Sequence, residues 1–314
     1  MIGFLIRRLV QSVITLLIVS IVVFTIVQIA PGDPAIIANE ETNQELADQF
    51  AENLGLNDSI PVQYARWLGG VVRLDFGVSL QHSVPNIDLV MSRLPASLLL
   101  AGTSMALATV VALTLGIVSA IKRHSIWDHS ATVIAFLGLS VPGFWLGIMM
   151  VIVFSVTLGW LPSSGMTSPN EGGFVDRVQH LIMPAIVLAT FAIAELSRYT
   201  RSSMVEVLRN DYIRTARAKG LQEKDVVWRH ALRNALIPVV TVLAVTTPRV
   251  MGGAVVTETV FSWPGMGRLA AGAAFTRDYP LVMAVTMVVA VLVLIGSLIA
   301  DLCYGILDPR VKLT

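Results

Sequence analysis

The sequence predicts an all-α integral membrane protein that crosses the bilayer six times. Of its 314 residues, 55% are hydrophobic and only 14% are charged, whereas a typical soluble domain has roughly 25% charged residues. The mean hydropathy is +0.74, and six separate apolar stretches reach the roughly 20 residues that a helix needs to cross the hydrocarbon core. This composition excludes a soluble or a disordered protein. The single cysteine, Cys303, excludes an intramolecular disulfide and a thiolate metal cage.

The six predicted spans lie at residues 9–30, 96–121, 131–158, 181–199, 236–258 and 281–305. Arg7 and Arg8 precede the first span, as they would precede a secretory signal. However, the 22 uncharged residues that follow are too many for a signal peptide, and no small-x-small cleavage site comes after them. We therefore predict that the first span stays in the protein. In the third span, Val141-Pro142-Gly143 predicts a kink, because proline removes a backbone donor.

The basic residues predict the orientation of the spans. If the N-terminus is inside, the inner segments (1–8, 122–130, 198–235 and 306–314) hold 15 Lys and Arg in 64 residues. The outer segments (31–94, 159–180 and 259–279) hold 6 in 107. Because basic residues concentrate in cytoplasmic loops, both termini are predicted to be cytoplasmic. The short 122–130 segment is the best indicator, since longer loops can translocate whatever their charge.

The chain divides into residues 1–30 (cytoplasmic N-terminus and first span), 31–94 (an external helical segment) and 95–314 (the remaining spans with an inner loop at 198–235). Within the external segment, the spacing of apolar residues predicts an amphipathic helix over Glu41–Asn57. Pro61 opens a second helical stretch that contains Tyr64 and Trp67. Two interpretations stay open: a helical cap lying on the membrane, or a docking surface for an external partner.

No catalytic motif is present, so we predict that the chain is not an enzyme and binds neither metal nor cofactor. It has no G-x-x-x-x-G-K-[ST] phosphate loop, and its five histidines are scattered over loops and span ends. Ser119-Ala-Ile-Lys122 matches S-x-x-K, but a lysine that reaches from a span end to the interface explains it. Gly143-x-x-x-Gly147 predicts a close helix–helix contact. The net charge of +1 gives no reason to expect nucleic acid.

The inner loop at 198–235 carries 9 of the 22 basic residues. Its apolar residues keep near-helical spacing up to Ala216, and Gly220 suits the left-handed turn that ends a helix. The loop is therefore predicted to be a helix, a glycine turn and a second short helix that leads into the fifth span at Pro238. A loop that is merely positive-inside would explain the charge but not this ordered layout.

Several stretches along the chain resemble one family: the permease subunits of binding-protein-dependent ABC importers, in the dipeptide, oligopeptide and nickel branch. The chain is similar to the first of the two permeases, which has a sizeable external segment after span one. The resembling stretches are 31–34 (PGDP), 74–79 (LDFGVS), 93–97 (RLPAS), 198–204 (RYTRSSM), 211–221 (DYIRTARAKGL), 230–238 (HALRNALIP), 257–268 (TETVFSWPGMGR), 277–280 (RDYP) and 301–310 (DLCYGILDPR).

The resemblance implies a type I permease fold and an ATPase-coupling segment at Arg214, Thr215, Ala216, Arg217, Ala218, Lys219, Gly220 and Leu221. Ala216 and Gly220 match the family's E-A-A-x-x-x-G motif, whereas Arg214 and Thr215 stand where it has Glu and Ala. Physically, small residues would let a short helix seat closely in a groove of the ATPase. The arginines could then pair with acidic groups around that groove.

Four ionisable residues fall within or at the edges of spans and are candidates for the translocation path: Glu195, Arg249, Glu258 and Asp301. Glu195 lies three residues before Arg198, which predicts a local ion pair. Glu258 lies at the outer end of span five, where we expect it to be solvated. Arg249 is 11 residues after Pro238, close to mid-membrane, where the family pattern is apolar.

The resemblance implies a multi-pass protein of the bacterial inner membrane that forms half of a translocation pathway for di- or oligopeptides or similar solutes. Its expected partners are a homologous second permease in a heterodimer, two ABC ATPases, a periplasmic solute-binding protein and membrane lipid. ATP and Mg²⁺ would bind the ATPases, not this chain. Nickel chelates remain an alternative solute. An ion-coupled secondary transporter is the rival from another class, but it would need inverted repeats and a midplane acidic site.

Overall fold

The computed structural model describes residues 2–29, 58–169 and 172–307, and these ranges are helical almost throughout. Within them no β-strand forms, and a single antiparallel bridge joins Val78 and Pro85. The helices are α1 (Ile2–Ile29), α2 (Ile60–Val72), α3 (Asn86–Ile121), α4 (Ile126–Ser140), α5 (Gly143–Met150, continued by π-helical turns at Val151–Thr157), α6 (Phe174–Val207), α7 (Asp211–Ala218), α8 (Glu223–Asp225, continued by π-helical turns at Val226–Ala231), α9 (Leu232–Val260), α10 (Met266–Phe275) and α11 (Tyr279–Leu307).

The predicted all-α membrane architecture is confirmed. Five helical stretches in the described ranges are long and apolar enough to cross a membrane, and α4 with α5 supplies the sixth span if the bent pair counts as one. The predicted kink falls between Ser140 and Gly143, but it is a bend of 103° and not a mild one. Pro142 cannot donate a backbone hydrogen bond, so α4 ends before it and its carbonyl starts α5 by accepting from the Leu146 N–H at 3.0 Å.

Packing divides the chain into two compact units that each draw on distant parts of the sequence. Of the described residues, the first comprises 2–29, 58–97 and 264–295. Its core gathers Phe76 and Val90 with Met266, Leu281 and Val285. The sections 1–30, 31–94 and 95–314 describe topology rather than packing, and they stay a prediction.

The second helical stretch of the external segment is confirmed as α2, with Pro61 in its first turn. Aromatic packing holds α2 against α1: the rings of Phe24 and Tyr64 lie 5.4 Å apart, and those of Phe24 and Trp67 lie 5.8 Å apart. A hydrogen bond of 2.8 Å joins the hydroxyls of Ser20 and Tyr64. The predicted helix over 41–57 lies outside the described residues.

Of the described residues, the second unit comprises 98–169, 172–263 and 296–307. Glycines allow its helices to approach closely. A Cβ on Gly116 of α3 would come within 2.5 Å of Thr200 Cβ in α6. On Gly147 it would come within 3.1 Å of Val260 Cγ1. The close helix contact predicted for the Gly143-x-x-x-Gly147 pair is therefore confirmed at Gly147, whereas a Cβ on Gly143 would lie 4.0 Å from Val187 Cγ1.

Candidate functional site

The predicted glycine turn of the inner loop is confirmed. Helix α7 ends at Ala218 with Lys219 as its C-cap, and Gly220 has φ +78°. The Gly220 N–H donates to the Arg217 carbonyl at 2.9 Å, and the Leu221 N–H donates to the Ala216 carbonyl at 3.4 Å. This pair of bonds is the Schellman motif, which satisfies the last carbonyls of a helix and needs a left-handed residue after the cap. The turn then leads into the second short helix, α8.

One face of α7 is buried in the second unit's own core. Ile213 is fully buried and Ala216 nearly so, in a cluster formed by Ile117 and Ala120 of α3, Met204 of α6, Val226, Val227 and Ala231 of α8, and Ala235 of α9. The contact of this segment with an ATPase stays a prediction, and Ala216 itself packs inside this chain. Its small side chain lets α7 lie close to the helices of this chain, and the exposed side faces away from them.

The exposed face of α7 carries charges that pair within the chain. Arg217 donates to both carboxylate oxygens of Glu223, at 2.6 and 3.0 Å, and so bridges the Gly220 turn. That hydrogen bonding raises the pKa of Arg217 above its ordinary value. Arg214 pairs with Asp211 at 3.2 Å. Within this chain both arginines pair with acids of their own loop, and their pairing with acids of a partner stays a prediction.

The rest of the exposed surface of the loop is mixed in character. Tyr212 accepts a hydrogen bond from the Asn234 amide at 3.0 Å, which ties α7 to α9. The Trp228 side chain is 57% exposed. The other predicted coupling residues are all exposed: Thr215, Ala218, Lys219, Gly220 and Leu221.

A buried ionic cluster near this loop is not foreseen from the sequence. The Asp128 carboxylate in α4 is 3% exposed, and Arg201 in α6 donates to its two oxygens at 2.7 and 3.0 Å. Ser119 at the end of α3 donates to the same carboxylate, and the His124 N–H donates at 3.0 Å. The cluster joins three helices. The only sequence signal is Ser125-Ile-Trp-Asp128, which fits a helix start but does not indicate Arg201.

The four candidates at membrane depth differ in their surroundings. Glu195 accepts a hydrogen bond from Thr246 of α9 at 3.2 Å, and the expected ion pair with Arg198 is not among those formed by the described side chains. Asp301 is half-buried in α11. Arg249 belongs to α9, but its side chain lies outside the described residues.

The expectation that Glu258 is solvated is wrong, since it has no exposed surface in this chain. The turn after α9 folds back over it: the Trp263 N–H donates to the Glu258 carbonyl at 2.8 Å, and the Trp263 and Phe261 side chains are both buried. A carboxylate in this position does not face an open pathway in this structure.

Two family profiles together match nearly the whole chain. The profile described as "Binding-protein-dependent transport system inner membrane component" matches residues 112–313. Its N-terminal companion, "Binding-prot-dependent transport system membrane comp, N-term", matches residues 1–101. The first alone covers more than half of the sequence.

Curated relatives align from end to end. The chain is 46% identical to the oligopeptide transport system permease protein AppB of Bacillus subtilis, over 99% of this chain and 100% of AppB. It is 43% identical to a putative peptide permease of Brucella suis, with both chains fully covered. It is 39% identical to the dipeptide transport system permease protein DppB of Escherichia coli, over 99% of each.

Solved structures show the same fold. An inward-facing structure of the MetNI methionine ABC transporter superposes with a TM-score of 0.55 at 18% identity, covering 71% of this chain and 97% of that one. An amino acid ABC transporter superposes with a TM-score of 0.51 at 12% identity, covering 72% and 95%. The architecture is the type I permease fold of ABC importers. The chain therefore belongs to the family of inner membrane components of binding-protein-dependent transport systems.

Proposed function

We propose that this chain is the permease subunit of an ABC importer for di- or oligopeptides. The observation that carries the choice of solute is the end-to-end similarity to three permeases, named for oligopeptides, for peptides and for dipeptides. The chain would form half of the translocation pathway, and a homologous second permease would form the other half in a heterodimer. A binding protein would deliver the solute from the periplasm.

In this proposal the chain binds no cofactor, and two partner ATPases bind and hydrolyse ATP with Mg²⁺. The segment that would receive their movement is α7 with the Gly220 turn. Its Ile213 face is anchored in the core beside α3, α6 and α9, so a push on α7 would be transmitted to three long helices. The exposed residues of the loop, including Lys219, Leu221 and Trp228, would make the contact. This arrangement requires the loop and both termini to be cytoplasmic, as the distribution of basic residues predicts.

The pathway itself would use polar groups at membrane depth. We retain Arg249, Glu195 and Asp301 as candidates, because charged groups there are costly in lipid and are expected to face a cavity or a partner. Glu258 could join them only if a conformational change uncovers it.

Transport assays in proteoliposomes test the proposal. The purified complex would be loaded with ATP and Mg²⁺ on the ATPase side, and solute-loaded binding protein would be supplied on the other side. We expect uptake of a labelled peptide that needs both ATP and the binding protein. Uptake of a nickel chelate but not of peptides would show that the solute is a nickel chelate and not a peptide. Uptake driven by an ion gradient without ATP would refute the importer mechanism.

A further inference from the structure

The first compact unit contains a polar cavity of about 230 Å³ that none of the roles above uses. It lies between the loop after α2, the first turns of α3, and α10 with the segments at its two ends. Its lining includes Gln81, His82, Arg93, Arg268, Gly272 and Leu281. The charge asymmetry predicts that the loop and α10 lie outside the membrane.

Four of the family-like stretches meet around this cavity. Ser79, which ends the stretch 74–79, donates to Asp278 of the stretch 277–280 at 2.5 Å, and Asp278 is fully buried. The same carboxylate accepts from the N–H groups of Gln81 and Leu281, each at 3.3 Å. Asp278 therefore fixes two parts of the cavity wall that are 200 residues apart in sequence, counted from Gln81 to Leu281.

The other two stretches are joined in the same way. The Ser97 hydroxyl, in the stretch 93–97, accepts from the Met266 N–H at 2.8 Å, and Met266 opens α10 within the stretch 257–268. This bond holds the first turns of α3 against the start of α10. Arg93 and Arg268 are thereby placed on one cavity from two separate helices.

Basic side chains are the charged groups in the described lining of the cavity. Arg93 and Arg268 both line it, His82 lies at its rim, and none of the described residues that line it is acidic. The buried Asp278 carboxylate behind the wall already accepts three hydrogen bonds. Arg93 is half-buried and forms no salt bridge with any residue in the described ranges. Guanidinium groups bind carboxylates through two parallel hydrogen bonds, so the cavity suits a carboxylate.

We propose that this cavity binds an acidic side chain of the solute-binding protein when that protein docks on the permease. The inference rests on the proposed function, which supplies such a partner. Two features favour a protein side chain as the occupant. The cavity opens at a rim of exposed residues (Gln81, His82 and Arg268), and its walls are the loop after α2, α10 and the N-terminal ends of α3 and α11. An incoming surface Asp or Glu can reach it without entering the bilayer.

The test measures how strongly the binding protein stimulates ATP hydrolysis by the whole complex in nanodiscs. Arg93→Gln should raise the half-saturating concentration of solute-loaded binding protein about tenfold and weaken its salt dependence, with the maximal rate unchanged. Arg93→Lys should be intermediate, since it keeps the charge but loses the planar fork. Gly272→Phe fills the cavity without removing charge, because a Cβ there meets no atom within 4 Å, and it should weaken docking similarly.

Arg73→Gln is the matched control, since Arg73 is an exposed arginine of the same external segment that does not line the cavity. It should leave the half-saturating concentration unchanged. A charge-reversed Arg93→Glu permease should regain docking with a binding protein in which one surface Asp or Glu is replaced by Arg.

The outcomes separate this inference from the proposed function. If the wild-type complex is not stimulated by any binding protein, the proposed function fails. If the wild type is stimulated and the Arg93 and Gly272 variants match it, the cavity has no role in docking. The Arg93 and Gly272 variants could instead keep the half-saturating concentration of binding protein and change only how the rate of ATP hydrolysis depends on a carboxylate in the solute. In that case the cavity binds the solute, and the proposal is wrong.

Discussion

At the scale of single residues, Gly220 is a position of the predicted coupling segment whose backbone conformation restricts which residue can occupy it. Its φ of +78° is left-handed, and a Cβ there would meet no other atom within 4 Å. A substitution would therefore be strained by its backbone alone, by about 1–2 kcal/mol for a non-glycine residue. Gly220→Val should misplace the turn between α7 and α8 and reduce transport-linked ATP hydrolysis several-fold, with normal membrane insertion.

Ala218→Val is the matched control for this prediction, because Ala218 is exposed and helical and makes no such demand on φ. Gly220→Asn should be milder than Gly220→Val, since Asn tolerates the left-handed region. A Gly220→Val complex that transports at the wild-type rate would remove the coupling role of this turn.

For Arg249 we test the hypothesis that its side chain binds the solute. A guanidinium at mid-bilayer costs on the order of 2.5–3.5 kcal/mol on insertion scales, so it should face water, a partner or the solute. If it binds a solute carboxylate, Arg249→Met should raise the apparent KM for uptake strongly and Arg249→Lys should be intermediate, while basal ATP hydrolysis survives. Misassembly of both variants would indicate a structural role, and normal transport by both would exclude any contact with the solute.

At the scale of elements, the cluster of Asp128, Arg201 and Ser119 holds together the C-terminal end of α3, the start of α4 and the C-terminal part of α6. Removing one partner of a buried ion pair leaves the other unpaired at a cost of roughly 3–5 kcal/mol. We expect about half of that here, because the Arg201 side chain is 36% exposed and water can reach it. Asp128→Ala should therefore lower the apparent Tm of the purified complex.

A double-mutant cycle checks this prediction. Arg201→Met alone should also destabilise, and the double variant should lose less than the sum of the two single losses. The exposed pair of Arg214 and Asp211 provides the comparison, since both side chains are well exposed and Asp211→Asn should change the Tm little. Additive losses in the Asp128–Arg201 cycle would mean that the two residues act independently.

At the scale of the whole molecule, the orientation of every segment can be tested at once by cysteine labelling. With Cys303 replaced by Ser, Ser164→Cys should react with a membrane-impermeant maleimide in intact cells, because residues 159–180 are predicted to lie outside. His129→Cys should react only after the membrane is opened. Both positions are exposed in the structure, so burial would not explain a failure to react. The reverse pattern would overturn the orientation and the coupling role of the 198–235 loop with it.

The sequence by itself determined the helical membrane class, the break at Pro142 and the turn at Gly220. These features depend on local physics: the length of an apolar run, the missing N–H of proline, and the left-handed backbone that glycine tolerates. The family-like stretches also indicated the family from the sequence alone. Such a motif is identified by its own residues and by its order along the chain, without knowledge of which residues it contacts.

Tertiary structure decided which side chains meet. Asp128 and Arg201 lie 73 residues apart in sequence and Ser79 and Asp278 lie 199 apart, and no spacing rule connects such pairs. Ala216 turns inward and Glu258 is buried because of the helices and the turn that pack over them, whereas their neighbours in sequence suggest exposure. Burial and ion pairing depend on elements brought together from distant parts of the chain, so only the folded arrangement could place Arg93 and Arg268 on one cavity.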